Sequence, residues 1–271
     1  MKSRINKIFL DKTKKLVTFV TGGDPNQQTS EKILDQIINN GADIIEIGMP
    51  FSDPMADGPT IQLSSNRAIK NGVNLNTIFE ICFKIRKKNN NIPIILMGYY
   101  NIILHYGLKN FVKKCNSIGI DGLIIVDLQP EEDSELLDLI KYQEIDLIRL
   151  ITPNTTKKRI EKITKNASGF LYYVTITGIT GKESAEIDRV ENSIKNIRKY
   201  SNLPIIAGFG INNKKQINDI CKITDGAVVG SSIVKIIEEK NDNTDQMLSA
   251  IGKFVKDLKD GTIIWIGWLI L

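Results

Sequence analysis

The feature that most constrains this chain is a series of eight short, β-branched, almost wholly apolar segments separated by amphipathic stretches. They are residues 16–20 (LVTFV), 43–49 (DIIEIGM), 93–99 (PIILMGY), 122–127 (GLIIVD), 147–152 (LIRLIT), 170–175 (FLYYVT), 204–210 (PIIAGFG) and 226–232 (GAVVGSS). A strand wetted on one face alternates apolar and polar side chains; a parallel strand covered on both faces reads as a continuous apolar run. The intervening residues 30–41, 77–89, 131–143 and 213–222 carry helical periodicity, and Gly41 and Gly119 follow helices where left-handed caps belong. Eight strand–helix units favour an α/β architecture closed as a single (β/α)8 TIM barrel over an open doubly wound sheet. The barrel domain is expected over residues 1–262, with residues 1–16 forming an extra amphipathic N-terminal helix and residues 263–271 (IIWIGWLIL) an atypical apolar tail.

Several functions are disfavoured by what the chain lacks. The first strand-to-helix link is TGGDPN (21–26) and not G-x-G-x-x-G, which argues against a dinucleotide site. The net charge of +5 is scattered, with no basic stripe interleaved with aromatics, so no nucleic acid partner is expected. No apolar run is long enough to span a bilayer and no signal peptide is visible, so no stable membrane association is expected. Cys82, Cys115 and Cys221 have neither metal nor disulfide spacing. They read as free thiols in a reducing, cytoplasmic compartment, with Cys82 and Cys115 buried in helices. One histidine, His105, rules out a His-rich metal centre; it reads as a surface or loop residue, and no metal is expected. None of the eight runs contains lysine, which disfavours Schiff-base chemistry.

A barrel places its active site where strands end and βα loops begin. Residues 44–59, IIEIGMPFSDPMADGP, put Glu46 inside an apolar strand, where a carboxylate costs free energy unless it is paired or keeps its proton. Pro50, Pro54 and Pro59 stiffen the loop that carries Asp53 and Asp57. Each acid has a plain structural reading, Glu46 as a glutamate bonded to a neighbouring strand and Asp57–Gly58 as turn chemistry. Late in the chain GFG (208–210) and GSS (230–232) end the last two strands, where barrels often bind phosphate, and TGITG (177–181) is a third glycine-rich loop. Tyr172 and Tyr173 are adjacent on one strand and must face opposite ways. With histidine, metal and Schiff-base routes disfavoured, carboxylate acid–base work on a phosphorylated substrate remains.

Residues 44–59 resemble the second-strand run of the tryptophan synthase α-subunit family, and FVTGGDP (19–25), PIILMGYYN (93–101), TGITG, GFGI (208–211) and GSSIVKIIE (230–238) extend the likeness across the barrel. The resemblance implies a lyase that splits indole-3-glycerol phosphate into indole and glyceraldehyde 3-phosphate in L-tryptophan biosynthesis. It also implies a β-subunit partner, in an α2β2 assembly, that holds pyridoxal phosphate, with no cofactor in this chain. By the same resemblance Glu46 is the general acid–base and Asp57 the carboxylate on the indole N–H. Phe19, Met97 and Phe209 surround the ring, Tyr172 lies near the first acid, and Gly181, Gly210, Gly230 and Ser231 hold the phosphate. Residues 176–188 form a closing lid that brings Thr180 to Asp57, while Pro50, Asp53 and Asn101 meet the partner. Gln129, where the family usually has proline, and the apolar tail depart from the pattern. Two other readings stand beside this one. One is a neighbouring phosphate-binding barrel such as indole-3-glycerol phosphate synthase, which would want lysines at strand ends. The other is a catalytically silent barrel serving only as a binding subunit.

Overall fold

The computed structural model describes residues 3–174, 183–208 and 210–264. Its strands are β1 (Lys15–Thr21), β2 (Ile44–Gly48), β3 (Ile94–Gly98), β4 (Gly122–Ile125), β5 (Asp146–Leu147), β6 (Arg149–Ile151), β7 (Leu171–Val174), β8 (Ile205–Gly208) and β9 (Gly226–Val229). All neighbours pair in parallel, in the order β5-β4-β3-β2-β1-β9-β8-β7-β6. The two ends of that sheet are separated in the chain by Ile148 alone. The expected strand 147–152 is thus one barrel position broken in two: its first half pairs with β4 and its second with β7. Ile148 itself donates to the Leu123 carbonyl at 3.0 Å, so the ring closes through this residue.

The helices are α1 (Arg4–Ile8), α2 (Gln27–Asn39), α3 (Pro59–Lys70), α4 (Leu75–Lys88), α5 (Tyr100–Tyr106) and α6 (Leu108–Ile118). They continue with α7 (Ser134–Ile140), α8 (Lys157–Lys165), α9 (Glu183–Ile197), α10 (Lys214–Ile223), α11 (Ser231–Glu239) and α12 (Thr244–Gly261). Asn26, the last residue of the TGGDPN link, caps α2 by accepting from Thr29 N–H at 2.9 Å. Gly119 ends α6 at φ 83°, a conformation that L side chains rarely adopt.

Two expected helices are shorter than the sequence suggested. The N-terminal helix stops at Ile8, because Lys12 turns left-handed (φ 57°) and Asp11 Oδ1 accepts from Thr13 N–H at 2.9 Å, closing a turn instead of another helical repeat. The helix expected over 131–143 shrinks to α7, because the Asp133 carboxylate is taken by buried Arg149 and provides no side-chain cap. The expected tail lies outside the described residues beyond Ile264, and Ile263 is exposed.

Period-two alternation sorts each strand into inward and outward faces. Leu16, Val20, Ile45, Ile47, Leu96 and Tyr173 point out and pack with Ile33, Phe79, Phe111 and other helix residues. Val17, Ile44, Ile95, Ile124, Ile148 and Ile206 point in and fill the lower barrel with Phe170 and Val228. Ile5 of α1 is fully buried against them, so the short helix plugs the bottom. Each such buried isoleucine contributes about 1.5–3 kcal/mol through removal from water. The same lower face is pinned by Asp121, 1% exposed, which accepts from Arg86 at 2.7 Å, Arg4 at 2.9 Å and Ile94 N–H at 2.8 Å. All three cysteines are buried free thiols: Cys82 in α4, Cys115 in α6 and Cys221 in α10. Burial pushes Cys82 and Cys221 up to about 12, which keeps them protonated and inert. No helix of the described residues is long and apolar enough to cross a membrane.

Candidate active site

Glu46 shares its inward face with Ile44 below and Gly48 above, and stands opposite Phe19 of β1 and Ile95 of β3. It is completely buried, and neither carboxylate oxygen has a hydrogen-bond partner among the described residues. A buried, unpartnered carboxylate is stabilised in its neutral form. Burial first, and the charge of Asp57 second, raise the Glu46 carboxyl to about 8. The reading of Glu46 as a glutamate bonded to a neighbouring strand is therefore not what the fold builds.

Asp57 comes from the loop between β2 and α3, which leaves the barrel at Met49 (N–H to the Met97 carbonyl, 2.7 Å). Two turns within the loop, Met55 N–H to the Asp53 carbonyl at 2.9 Å and Asp57 N–H to the Pro54 carbonyl at 3.0 Å, bring Asp57 back over the barrel mouth. Pro59, at the first position of α3, then sets the helix direction. The Asp57 carboxyl is half-buried and accepts from the Tyr99 hydroxyl at 3.0 Å. Burial raises its affinity for a proton and the Tyr99 bond lowers it.

The rest of the mouth is mostly apolar, with Thr21 and Ser65 among its lining. Phe19, Met97, Phe51, Ile61 and Val126 line a cleft with Asp57 and Tyr99. Glycine makes room for the rings: a Cβ on Gly48 would lie 2.7 Å from the Phe19 ring, and one on Gly208 would lie 2.7 Å from the Tyr172 ring and 2.8 Å from its hydroxyl. Tyr172 faces into the barrel and Tyr173 packs against the helices, as strand alternation requires. Burial, then Glu46 and Asp57, raise the Tyr172 hydroxyl well above its ordinary value, so it stays a neutral donor.

Beside Phe19, Gly230 is the N-cap residue of α11 and makes no side-chain cap bond; Ser231 begins the helix and is exposed. A helix N-terminus presents backbone N–H groups and the positive end of the helix dipole to an anion. Gly210 is exposed at φ 56°, and Ser232 Oγ donates to the Ile211 carbonyl at 2.8 Å, tying the loops after β8 and β9 together. Thr180, Gly181 and Phe209 lie outside the described residues, as does the 176–182 part of the expected lid. Asp53 and, on α5, Asn101 are exposed on the same rim, with Pro50 half-buried between loop and strand. His105 is exposed on α5, and no group of three or more His, Cys, Asp or Glu side chains placed to hold a metal occurs among the described residues.

Sequence reasoning missed Tyr99. The PIILMGYYN segment contains it, but nothing in an apolar strand ending in two tyrosines says which one reaches across to the neighbouring loop. It also missed the supporting roles of Gly48 and Gly208, which exist only once rings are placed against them.

Fold and mouth together define a class: a (β/α)8-barrel enzyme with one carboxyl at the edge of a mostly apolar cleft and a second buried in the strand below it. The family model for "Tryptophan synthase alpha chain" matches residues 6–263, ending where the atypical tail begins. The chain is 44% identical over 257 residues to the tryptophan synthase alpha chain of Petrotoga mobilis, covering 95% of this chain and 99% of that one. It is 45% identical over 248 residues to the one from Geotalea uraniireducens, covering 92% of each. The crystal structure of tryptophan synthase subunit alpha from Legionella pneumophila superposes with a TM-score of 0.89 at 30% identity, covering 97% of this chain and 99% of that one. The chain belongs to the tryptophan synthase alpha chain family, and with it to the lyases of L-tryptophan biosynthesis.

Proposed function

We propose that this chain cleaves indole-3-glycerol phosphate to indole and glyceraldehyde 3-phosphate, with Glu46 as the proton-transfer group and Asp57 as the group that holds the indole N–H. The observation that carries the reading is the unequal carboxylate pair: Glu46 buried without a partner and raised to about 8, Asp57 tethered by a hydroxyl at the cleft edge. Two carboxyls held in different environments can divide acid and base roles. Splitting the bond between indole and glycerol requires the ring to leave as a neutral heterocycle. Protonated Glu46 gives its proton to indole C3, and ionised Asp57 stabilises the positive charge that develops on the ring N–H. The Glu46 carboxylate then takes the proton of the adjacent glycerol hydroxyl. The C–C electron pair returns to the ring, the hydroxyl carbon becomes the aldehyde, and Glu46 is restored.

Phe19, Met97 and Phe209 sandwich the ring, and Tyr172 borders Glu46. Backbone N–H groups at Gly181, Gly210, Gly230 and Ser231 take the phosphate, helped by the α11 dipole. By the family resemblance, Thr180 meets Asp57 when substrate is bound. The partner is a β subunit, in an α2β2 assembly, that meets Pro50, Asp53 and Asn101 and holds the pyridoxal phosphate; this chain holds none. A cytoplasmic location accords with family membership and with the free thiols. The test is indole release from indole-3-glycerol phosphate by the purified chain, with and without a β subunit. Release by the wild type and its loss in Glu46→Gln, with a phosphate-bearing ligand still bound, are expected. No release by the wild type under either condition rejects the reaction.

A further inference from the structure

Tyr99 stands at the end of β3, 3% exposed, and its side chain clasps the neighbouring loop at three places. Its hydroxyl donates to Asp57 Oδ2 at 3.0 Å, accepts from Ala56 N–H at 3.0 Å, and its ring lies 5.2 Å from the Phe51 ring. Its own position is fixed from behind, because the next residue, Tyr100, donates its N–H to Asp127 Oδ1 at 2.8 Å. Glu46, by contrast, has no hydrogen-bond partner among the described residues.

From this asymmetry we infer that Tyr99 is a positioning residue that decides which of the two carboxylates holds the proton: its hydroxyl fixes Asp57 as the ionised member and leaves Glu46 as the protonated one. The inference rests on the roles proposed above for those two acids. A donor aimed at a carboxylate favours its charged form, and a charged neighbour then makes the second carboxylate harder to ionise. Burial raises both carboxyls; at Asp57 the Tyr99 hydroxyl opposes that rise, while at Glu46 the charge of Asp57 adds to it. Tyr99 does not compete for the role of anion, since burial and the neighbouring Asp57 and Asp127 push its phenol above its ordinary value. Asp57 acts on Glu46 of β2 and Tyr99 at the end of β3 acts on Asp57; both carboxyls act in turn on Tyr172 of β7, and Asp57 and Asp127, after β4, act on Tyr99. Among the described residues, Tyr99 is the donor that distinguishes the two acids. Ala56 N–H in turn aims the hydroxyl oxygen, so that its hydrogen points at Asp57.

The experiment compares wild type, Tyr99→Phe, Asp57→Asn and the double variant in the full chain, following indole release from indole-3-glycerol phosphate across the pH range. Tyr99→Phe is expected to lower kcat about tenfold, the scale of losing a hydrogen bond to a charged group, while KM moves little. The acid limb of its kcat profile shifts to higher pH, because Asp57 without its donor takes up a proton sooner. In the Asp57→Asn background the same change has little further effect, since a residue acting through Asp57 has nothing left to act on. A chain carrying 3-fluorotyrosine at position 99 keeps the ring and the fold but donates more strongly, and its acid limb moves to lower pH. An unmoved acid limb in both position-99 variants, or an undiminished loss from Tyr99→Phe on top of Asp57→Asn, overturns the inference while leaving the cleavage reaction standing. Absence of indole release by the wild type overturns the proposed reaction, and the Tyr99 assignment falls with it.

Discussion

Replacing Glu46 by glutamine is expected to make the protein more stable, and by an amount that depends on pH. In the unfolded chain the carboxyl ionises near 4.5; in the fold it does so near 8, because burial and Asp57 penalise the charge. Between those values the folded state holds one proton more than the unfolded state, so raising the pH favours unfolding. The loss begins as pH rises past 4.5, reaches about 3 kcal/mol at neutrality and levels off beyond 8 at about 5 kcal/mol. Glutamine has nearly the same shape, does not titrate, and leaves the same two polar atoms without partners as protonated glutamate does. The stability difference between Glu46→Gln and wild type is therefore near zero at acid pH and grows steadily through the neutral range to a plateau. Urea unfolding of both chains at a series of pH values measures it, with titrating groups that do not interact with Glu46 cancelling in the difference. A difference that is constant with pH, or that favours the wild type as pH rises, would falsify the claim that Glu46 is kept neutral by its surroundings. The stabilised variant is also the one expected to release no indole, which places this carboxylate among groups kept for function at the expense of stability.

Three further outcomes follow from particular contacts. Gly208→Ala puts a methyl group into the Tyr172 ring and hydroxyl, so kcat/KM for indole release should fall about tenfold or more; near-native turnover would show that Tyr172 can shift without consequence. Arg67→Ala removes the guanidinium that meets both oxygens of buried Asp24 at 2.9 Å, and should lower unfolding free energy by about 3 kcal/mol, read from the urea midpoint. Asp53→Asn should reduce activation of indole release by an added β subunit, and unchanged activation with unchanged complex affinity would remove Asp53 from the interface.

The barrel was legible because each strand is apolar on both sides, which leaves little choice but a parallel sheet wrapped in helices. Glu46 stood out for the same reason, as a charge inside the run IIEIG. The break at Ile148 was not legible: LIRLIT reads as one strand, and the division appears only when its halves find β4 and β7. Arg149 inside that run was a hint, since a buried guanidinium needs a partner, and its partner Asp133 is what shortened α7. The N-terminal helix was over-read because its periodicity continues past Ile8, while the turn at Asp11–Thr13 depends on one side-chain oxygen capturing one amide. Loop-to-loop ties such as Tyr99 to Asp57 leave no periodic trace at all. They arise where two segments distant in sequence arrive at one rim.

The isoleucine floor under Glu46 has a kinetic meaning. Ile44, Ile95, Ile124 and Ile206 are each fully buried and capped from below by Ile5, so among the described residues the floor beneath Glu46 is closed. On the proposed reaction, substrate and both products would pass the rim at the strand ends. Glu46 therefore has no rear door through which to trade its proton with bulk water while that rim is covered. On the proposed reaction, the hydrogen delivered to one fragment is replaced by the hydrogen withdrawn from the other, and isotope carried in on the glycerol hydroxyl should remain in the enzyme until the rim is uncovered.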